Sequence, residues 1–268
     1  MKTLLLISAG SLASLTGFAQ TTVFEENFSG SYNDAINGTS PDIGSGTWTT
    51  PSYVINGGNR ARTRNGTGAA DSTSYLSTNL SAGNIYELSV DMYSQALTSG
   101  TTSQFIGFGF FSTVSSTTTP FSSQSPSSPW TLLRIGETNT GDTSLYADGT
   151  TNTAIDSNFD ITTSRNYKLV LNTSDTDALT AGDQFSLELW VDNVQYGTTH
   201  TYSAAESADL ISDIAAVGFT ADIISGGQSG FFDNFKLTST SVIPEPSTFA
   251  LIAGIATMGF AAARRRRQ

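Results

Sequence analysis

Trp190 sits between two carboxylates in the stretch QFSLELWVDN. Residues two apart share one face of a strand, so an extended reading puts Glu188, Trp190 and Asp192 side by side. An indole flanked by acids can stack on a sugar ring while the carboxylates accept hydrogen bonds from its hydroxyls. The competing reading is that another strand or loop covers that face and the indole is ordinary packing. Arg60, Arg62 and Arg64 alternate in NRARTR. On a strand they would share a face at about 6.6 Å spacing. Such a stripe can meet an anionic polysaccharide, or pair with acids of a neighbouring strand. Asp175, Asp177 and Asp183 gather in NTSDTDALTAGD. Loop carboxylates can hold calcium, the one cofactor the sequence suggests. The spacing is not that of an EF-hand, and glycine is missing from its sixth place, so a polar turn is the alternative.

Other chemistry is excluded or weakened. The chain has no cysteine, which rules out thiol catalysis and thiolate metal sites. The single histidine, His200, lies in YGTTHTYS with no nucleophile elbow in the chain, so it reads as an exposed strand or loop residue. Glu87/Asp91 and Glu188/Asp192 are each four residues apart on extended chain, about 13 Å. Glycoside hydrolysis needs carboxyls roughly 5–9.5 Å apart, so neither pair serves alone. Only a pair drawn from two strands would do.

The elements that must position these residues alternate with period two. YELSVDMY puts Tyr86, Leu88, Val90 and Met92 on one face, and QFSLELWVDN turns Phe185, Leu187, Leu189 and Val191 inward. RNYKLVLN aligns Tyr167, Leu169 and Leu171. QFIGFGFFS is apolar on both faces, as a central strand should be, with Gly107 and Gly109 leaving room for large neighbours. AAVGFTAD and GFFDNFKLTS read as further strands, in the second of which Asp233 and Asn234 are expected to bond backbone near a sheet edge. Residues 112–129 read as a long surface loop or edge excursion, and 203–216 as a short helix or turn. Many short strands with Gly-rich turns mean a β-sandwich or barrel. The Thr-rich runs lack the regular T-x-T ladder of a flat ice-binding face.

Both ends read as processing segments. Lys2, an apolar stretch from Leu4 to about Leu15, and small residues Gly17 and Ala19 form a secretory signal peptide over 1–19. At the other end Phe249–Ala263 carries no charge and rises about 22 Å as a helix, short of the ~30 Å hydrocarbon core. Snorkelling flanks close much of that gap, and Arg264–Arg267 act as a cytoplasmic stop. Between the ends, residues 20–243 hold seven Lys/Arg against 22 Asp/Glu, a net charge of −15 that the whole-chain −11 hides. So acidic a body argues against nucleic acid and anionic lipid as partners.

The tail resembles the PEP-CTERM sorting signal of Gram-negative bacteria, on Pro244-Glu245-Pro246, the apolar span 249–263 and Arg264, Arg265, Arg266 and Arg267. The same tail type also carries an ice-binding protein name, which says nothing of the body. The resemblance implies that an exosortase, an integral-membrane cysteine protease, removes 242–268. The inner membrane would hold the chain transiently before it reaches the cell surface or extracellular matrix. A plain one-pass anchor fits the span and charge asymmetry too.

The body, 20–241, is similar to concanavalin A-like (laminin G-like) jelly-roll domains through VFEENFSG, TWTTPSYVINGGNRARTRNGTG, YLSTNLSAGNIYELSVDMYS, DQFSLELWVDNVQYG, VGFTAD and the closing SGFFDNFKLTS. The implied fold is an all-β jelly-roll sandwich between a signal peptide and a single transmembrane helix. An enzyme on this fold would be a glycoside hydrolase, but the E-[aliphatic]-D-x-x-E motif of the laminarinase-like branch is absent. The expectation is therefore non-catalytic binding or scaffolding of exopolysaccharide. A purely structural surface protein and a glycoside hydrolase or lyase are the alternatives.

Overall fold

The computed structural model describes residues 19–63, 71–95, 104–135, 140–174, 184–223 and 229–241. The strands are β1 (Gln20–Glu26), β2 (Val54–Asn56), β3 (Ala61–Thr63), β4 (Ser72–Ser77), β5 (Asn84–Ser94), β6 (Phe105–Phe111), β7 (Trp130–Arg134), β8 (Thr140–Tyr146), β9 (Asn152–Asp160), β10 (Arg165–Asn172), β11 (Ser186–Val191), β12 (Val194–Thr201), β13 (Ala216–Asp222) and β14 (Gly230–Ser241). One helix, α1 (Ala204–Asp213), precedes β13. An eight-stranded sheet runs β12-β11-β10-β5-β14-β3-β2, with β1 also paired to β14. A six-stranded sheet runs β4-β13-β6-β7-β8-β9. The compact unit so formed spans Gln20–Ile243. The signal-peptide, span and arginine-tail assignments lie outside the described residues.

The two sheets differ in kind. In β5, β10 and β11 buried and half-buried residues alternate, so one face is core and the other meets solvent. Leu88, Leu169 and Leu189 are register partners across three neighbouring strands, all buried in the core. In the six-stranded sheet β6 is buried at every position. Its inward residues Ile106, Phe108 and Phe110 join the main core, and Phe105 and Phe111 join a second cluster with Trp130 and Leu132. That second cluster lies on the outer face, under the segment expected as a surface loop.

The segment 112–129 is a cover as well as a loop. A 3-10 turn at Phe121–Gln124 sends Phe121, fully buried, onto Phe111 at 4.0 Å between ring centroids. Gln124 ties the segment together: its Oε1 accepts from the Ser115 and Ser116 backbone N–H groups, and its Nε2 donates to the carbonyls of Ser116 and Thr119. Runs of serine and threonine concealed this, because Phe121 and Gln124 are isolated in them; backbone groups of Thr117, Thr119 and Phe121 and the Ser128 hydroxyl add bonds to the sheet.

Two local signals explain other boundaries. Ser203 caps α1 by accepting from the Glu206 N–H, and the Glu206 side chain accepts the Ser203 N–H at 2.7 Å. Within the 203–216 stretch, Ala204–Asp213 is therefore a helix, and Ala216 already belongs to β13. Asp192 and Asn193 both take left-handed backbone (φ 49° and 65°) in the two-residue turn joining β11 to β12.

Candidate functional site

The open face of the eight-stranded sheet carries most of the polar and aromatic chemistry that the sequence singled out. Trp190 projects from β11 and is half-buried, with no described strand laid over it. Its Nε1 donates to Glu188 Oε2 at 2.9 Å. Glu188 Oε1 accepts from Thr199 Oγ1 at 3.0 Å, which in turn accepts from Gln195 Nε2 at 3.0 Å. Lys168, the cross-strand partner on β10, places its ammonium 5.5 Å from the indole centroid and pairs with Glu87 at 3.7 Å. The indole is thus oriented by Glu188 on one side and Lys168 on the other.

Asp192 does not join it. Its place in the turn directs the carboxylate to Arg165 Nη1 at 2.7 Å and to the Asn166 backbone N–H at 3.0 Å. The flanking trio expected from alternation is therefore a pair, Trp190 with Glu188. The alternation rule failed because the strand ends at Val191.

Arg60 and Arg62 form a second pole on the same face. Tyr93 and Phe231 are cross-strand partners, stacked at 4.7 Å and 17°. Arg60 lies over both rings, at 5.5 and 4.9 Å, and donates to the Tyr93 hydroxyl. Arg62 lies 5.7 Å from the Phe231 centroid and donates to Ser229 Oγ at 2.9 Å and Tyr32 OH at 3.1 Å. Neither forms an ion pair among the described residues. Arg64 falls outside them, as do Asp175, Asp177 and Asp183. No group of three or more His, Asp or Glu among the described residues is placed to hold a metal ion.

Between the poles lies a pair that sequence reasoning missed. Asp91 on β5 is the register partner of Asp233 on β14, and both are half-buried on the open face. Asp91 accepts amide hydrogens from Asn166 and Asn234, each at 2.8 Å. Burial pushes the Asp233 carboxyl up; the Asn234 backbone N–H opposes this, the Asp91 charge adds to it, and Arg60 draws it down. The expected placement of Asp233 and Asn234 near a sheet edge is wrong, since β14 runs between β5 on one side and β1 and β3 on the other. Asp233 does bond backbone, its Oδ1 accepting from the Asn234 N–H at 2.8 Å, but the Asn234 side-chain amide reaches Asp91 because a bulge turns Asn234 into left-handed backbone (φ 49°). The distance from Asp91 to Asp233 in sequence hid the pair; only a strand-pairing argument could have found it.

Two other features are accounted for locally. His200 stands edge-on to Tyr202 at 4.7 Å on β12, with no nucleophile bonded to it among the described residues. A 210 Å³ cleft is lined in part by Glu26, Asp34, Asp42 and Asn56. Each acid there is already engaged by backbone: Glu26 by Phe28 N–H, Asp34 by Ser31 N–H, Asp42 by Asn27 N–H. Burial raises the Glu26 carboxyl, and the Trp48 indole N–H also donates to it.

The comparisons with known proteins bear on the tail and on the fold. The family model for the PEP-CTERM protein-sorting motif matches residues 242–267. The tail is a PEP-CTERM sorting signal. It marks an exported chain, one processed by exosortase after a transient membrane-anchored state. Among the described residues no helix is long and apolar enough to cross a membrane. A search of curated proteins found no match. Among solved structures, the endo-1,3-beta-glucanase from Streptomyces sioyaensis is similar at TM-score 0.53 and 15% identity, over 83% of this chain and 97% of that one. A variant of the Emp46p carbohydrate recognition domain is similar at TM-score 0.50 and 14% identity, over 71% and 87%. The body has a concanavalin A-like jelly-roll sandwich fold.

Proposed function

We propose that this exported domain binds glycan, without catalysis, on the open face of its eight-stranded sheet at Trp190. The observation that carries the reading is the half-exposed indole held in place by Glu188 and Lys168 on the open face. A fixed aromatic plane beside hydrogen-bonding side chains suits the apolar face and hydroxyl rim of a sugar ring. The similarity to a glucanase and to a carbohydrate recognition domain supports the fold only. The non-catalytic part rests on the carboxylates. Glu188 and Asp192 are both committed to protein partners, and Asp91 is bonded by two amides.

The test is a glycan array probed with the mature exported protein, with and without added calcium, beside Trp190→Ala. Binding to at least one glycan, lost in the variant, is expected. Silence across the array overturns the reading in favour of a purely structural surface protein. Reducing ends released from a β-glucan would overturn its non-catalytic half. Mass spectrometry of the surface form checks the sorting: a C-terminus still carrying Arg264–Arg267 refutes removal of the tail.

A further inference from the structure

We infer that Arg60 and Arg62 form an anion clamp, and that the glycan bound on this face is an acidic polysaccharide long enough to reach from Trp190 to the clamp. The inference rests on the open face being the glycan surface. It starts from charge. Residues 20–243 carry a net −15, so a cation there has an abundance of partners. Arg165, Lys168 and Lys236 take them, at 2.7, 3.7 and 2.7 Å. Arg60 and Arg62 do not, although Asp233 is near enough for Arg60 to lower its carboxyl. They rest on aromatic rings and hydroxyls instead.

That environment fixes the guanidiniums without neutralising them. Ring faces hold the plane of an arginine, and hydroxyls leave its full charge in place. A guanidinium has five N–H donors. Arg60 gives one to Tyr93, and Arg62 gives two, to Ser229 and Tyr32. The Arg60 Nε is buried and the Arg62 Nε is taken by Ser229, so the Nη hydrogens left over are the donors that suit a carboxylate or sulfate.

Register sets the length. Trp190 is level with Lys168 and Ser89, whereas Arg62 is level with Phe231 and Tyr93. Four strand-to-strand steps of about 4.8 Å and four residues at about 3.3 Å give a diagonal of roughly 23 Å. One sugar cannot touch both poles. A chain of several residues can, crossing Asp91, Asn166 and Asn234 on the way. The acidic body repels a polyanion overall, so binding of one requires a local positive site.

The experiment titrates the mature exported protein with polygalacturonate, dextran sulfate and neutral dextran at about 0.15 M salt, where repulsion from distant charges is largely screened. At least one acidic polymer should bind more tightly than dextran. The double change Arg60→Gln/Arg62→Gln should weaken it by about tenfold or more, the effect of losing a charge-assisted contact. Lys236→Gln, a paired cation of the same face, should stay within about twofold. Arg60→Lys/Arg62→Lys keeps charge but loses the Nη donors and should fall between; it decides the matter if the glutamine variant does not fold. Polygalacturonate alone identifies a carboxylate ligand, dextran sulfate alone a sulfate, and either supports the clamp. Equal binding of dextran with silent arginine variants, but loss in Trp190→Ala, overturns the clamp and leaves glycan binding standing. An equal loss in Lys236→Gln also overturns the clamp. Failure of all three polymers to bind overturns the clamp, and the glycan array then decides the wider reading separately.

Discussion

Replacing Asp222 by Asn should make the protein more stable above about pH 6 and leave it unchanged near pH 4. Asp222 ends β13, and the pairing of Ala221 with Ser72 brings it opposite Asp71 at the start of β4. Burial comes first, then the charge and hydrogen bonding of Asp71, and together they push the Asp222 carboxyl from its ordinary 3.8 up to about 6. A carboxyl raised on folding favours the native state when protonated. Its stabilisation is fully present below about pH 3.8 and is lost as pH rises through about 6. At about 1.4 kcal/mol per pH unit the full interval corresponds to about 3 kcal/mol. The group is roughly half exposed, so screening reduces this to about 1–2 kcal/mol. Asn keeps the shape and never ionises, which removes both the buried charge and the repulsion. Urea unfolding of wild type and Asp222→Asn between about pH 4 and pH 8 measures the difference directly. Asp160, held low by Thr162 and Thr163, and Glu206, held low by Ser203, are common to both proteins and cancel from the difference. A gap that stays constant across the range would refute the reasoning, because it would owe nothing to the titration of this pair.

Two further expectations concern packing. Phe121→Ala removes a fully buried ring that belongs to the outer cluster and not to the main core. It should cost about 3 kcal/mol in urea unfolding and speed proteolytic nicking within 112–129; nicking at the wild-type rate would show that the segment is held by other means. Gly109→Ala and Gly46→Ala form a contrast. A Cβ on Gly109 would lie 2.5 Å from Trp130 Cα, in a neighbouring strand that cannot retreat, so a loss above about 3 kcal/mol is expected. Gly46 has no heavy atom of the described residues within 4 Å of such a Cβ, and its φ of +102° limits the cost to about 1 kcal/mol. Equal losses in thermal or urea unfolding would contradict the packing account.

Period-two patterning was legible wherever one face of a strand is solvated. Tyr86 to Met92 and Leu187 to Val191 point inward as alternation requires. The apolar run 105–111 announced a strand buried on both sides, and its Gly109 does make room for Trp130. What covers that strand was not legible. A Ser/Thr-rich segment gives no periodic signal, and its fold draws on one phenylalanine packing against a distant strand and one glutamine amide tying the segment to itself. Cross-strand relations were equally hidden. Asp91 with Asp233, and Tyr93 with Phe231, are neighbours through a pairing between residues more than a hundred positions apart. Asp192 misled for a local reason: alternation was carried one residue past the end of β11, into a turn that re-aims the side chain. Arg60 likewise lies in the turn before β3, yet it reaches the same Phe231 ring as Arg62 because its long side chain folds back over it.

The difference between the two sheets bears on where a ligand can gain free energy. The six-stranded sheet commits both faces of β4, β6, β7 and β13 to packing, so among the described residues its aromatic side chains are largely enclosed. The eight-stranded sheet must instead keep one face soluble, and it does so by pairing its own polar groups. Lys168 meets Glu87, Lys236 meets Glu25, and Asp91 takes two amides. A ligand laid over such satisfied groups exchanges one set of hydrogen bonds for another and gains little. Two places break the pattern. At Trp190 an apolar plane is only half covered, so contact removes hydrophobic surface from water. At Arg60 and Arg62 charge is held in place without a direct ion pair among the described residues, so an anion adds an interaction the protein lacks. A ligand with sugar faces for the first and acid groups for the second uses both departures, and one with either alone uses half of what the face offers.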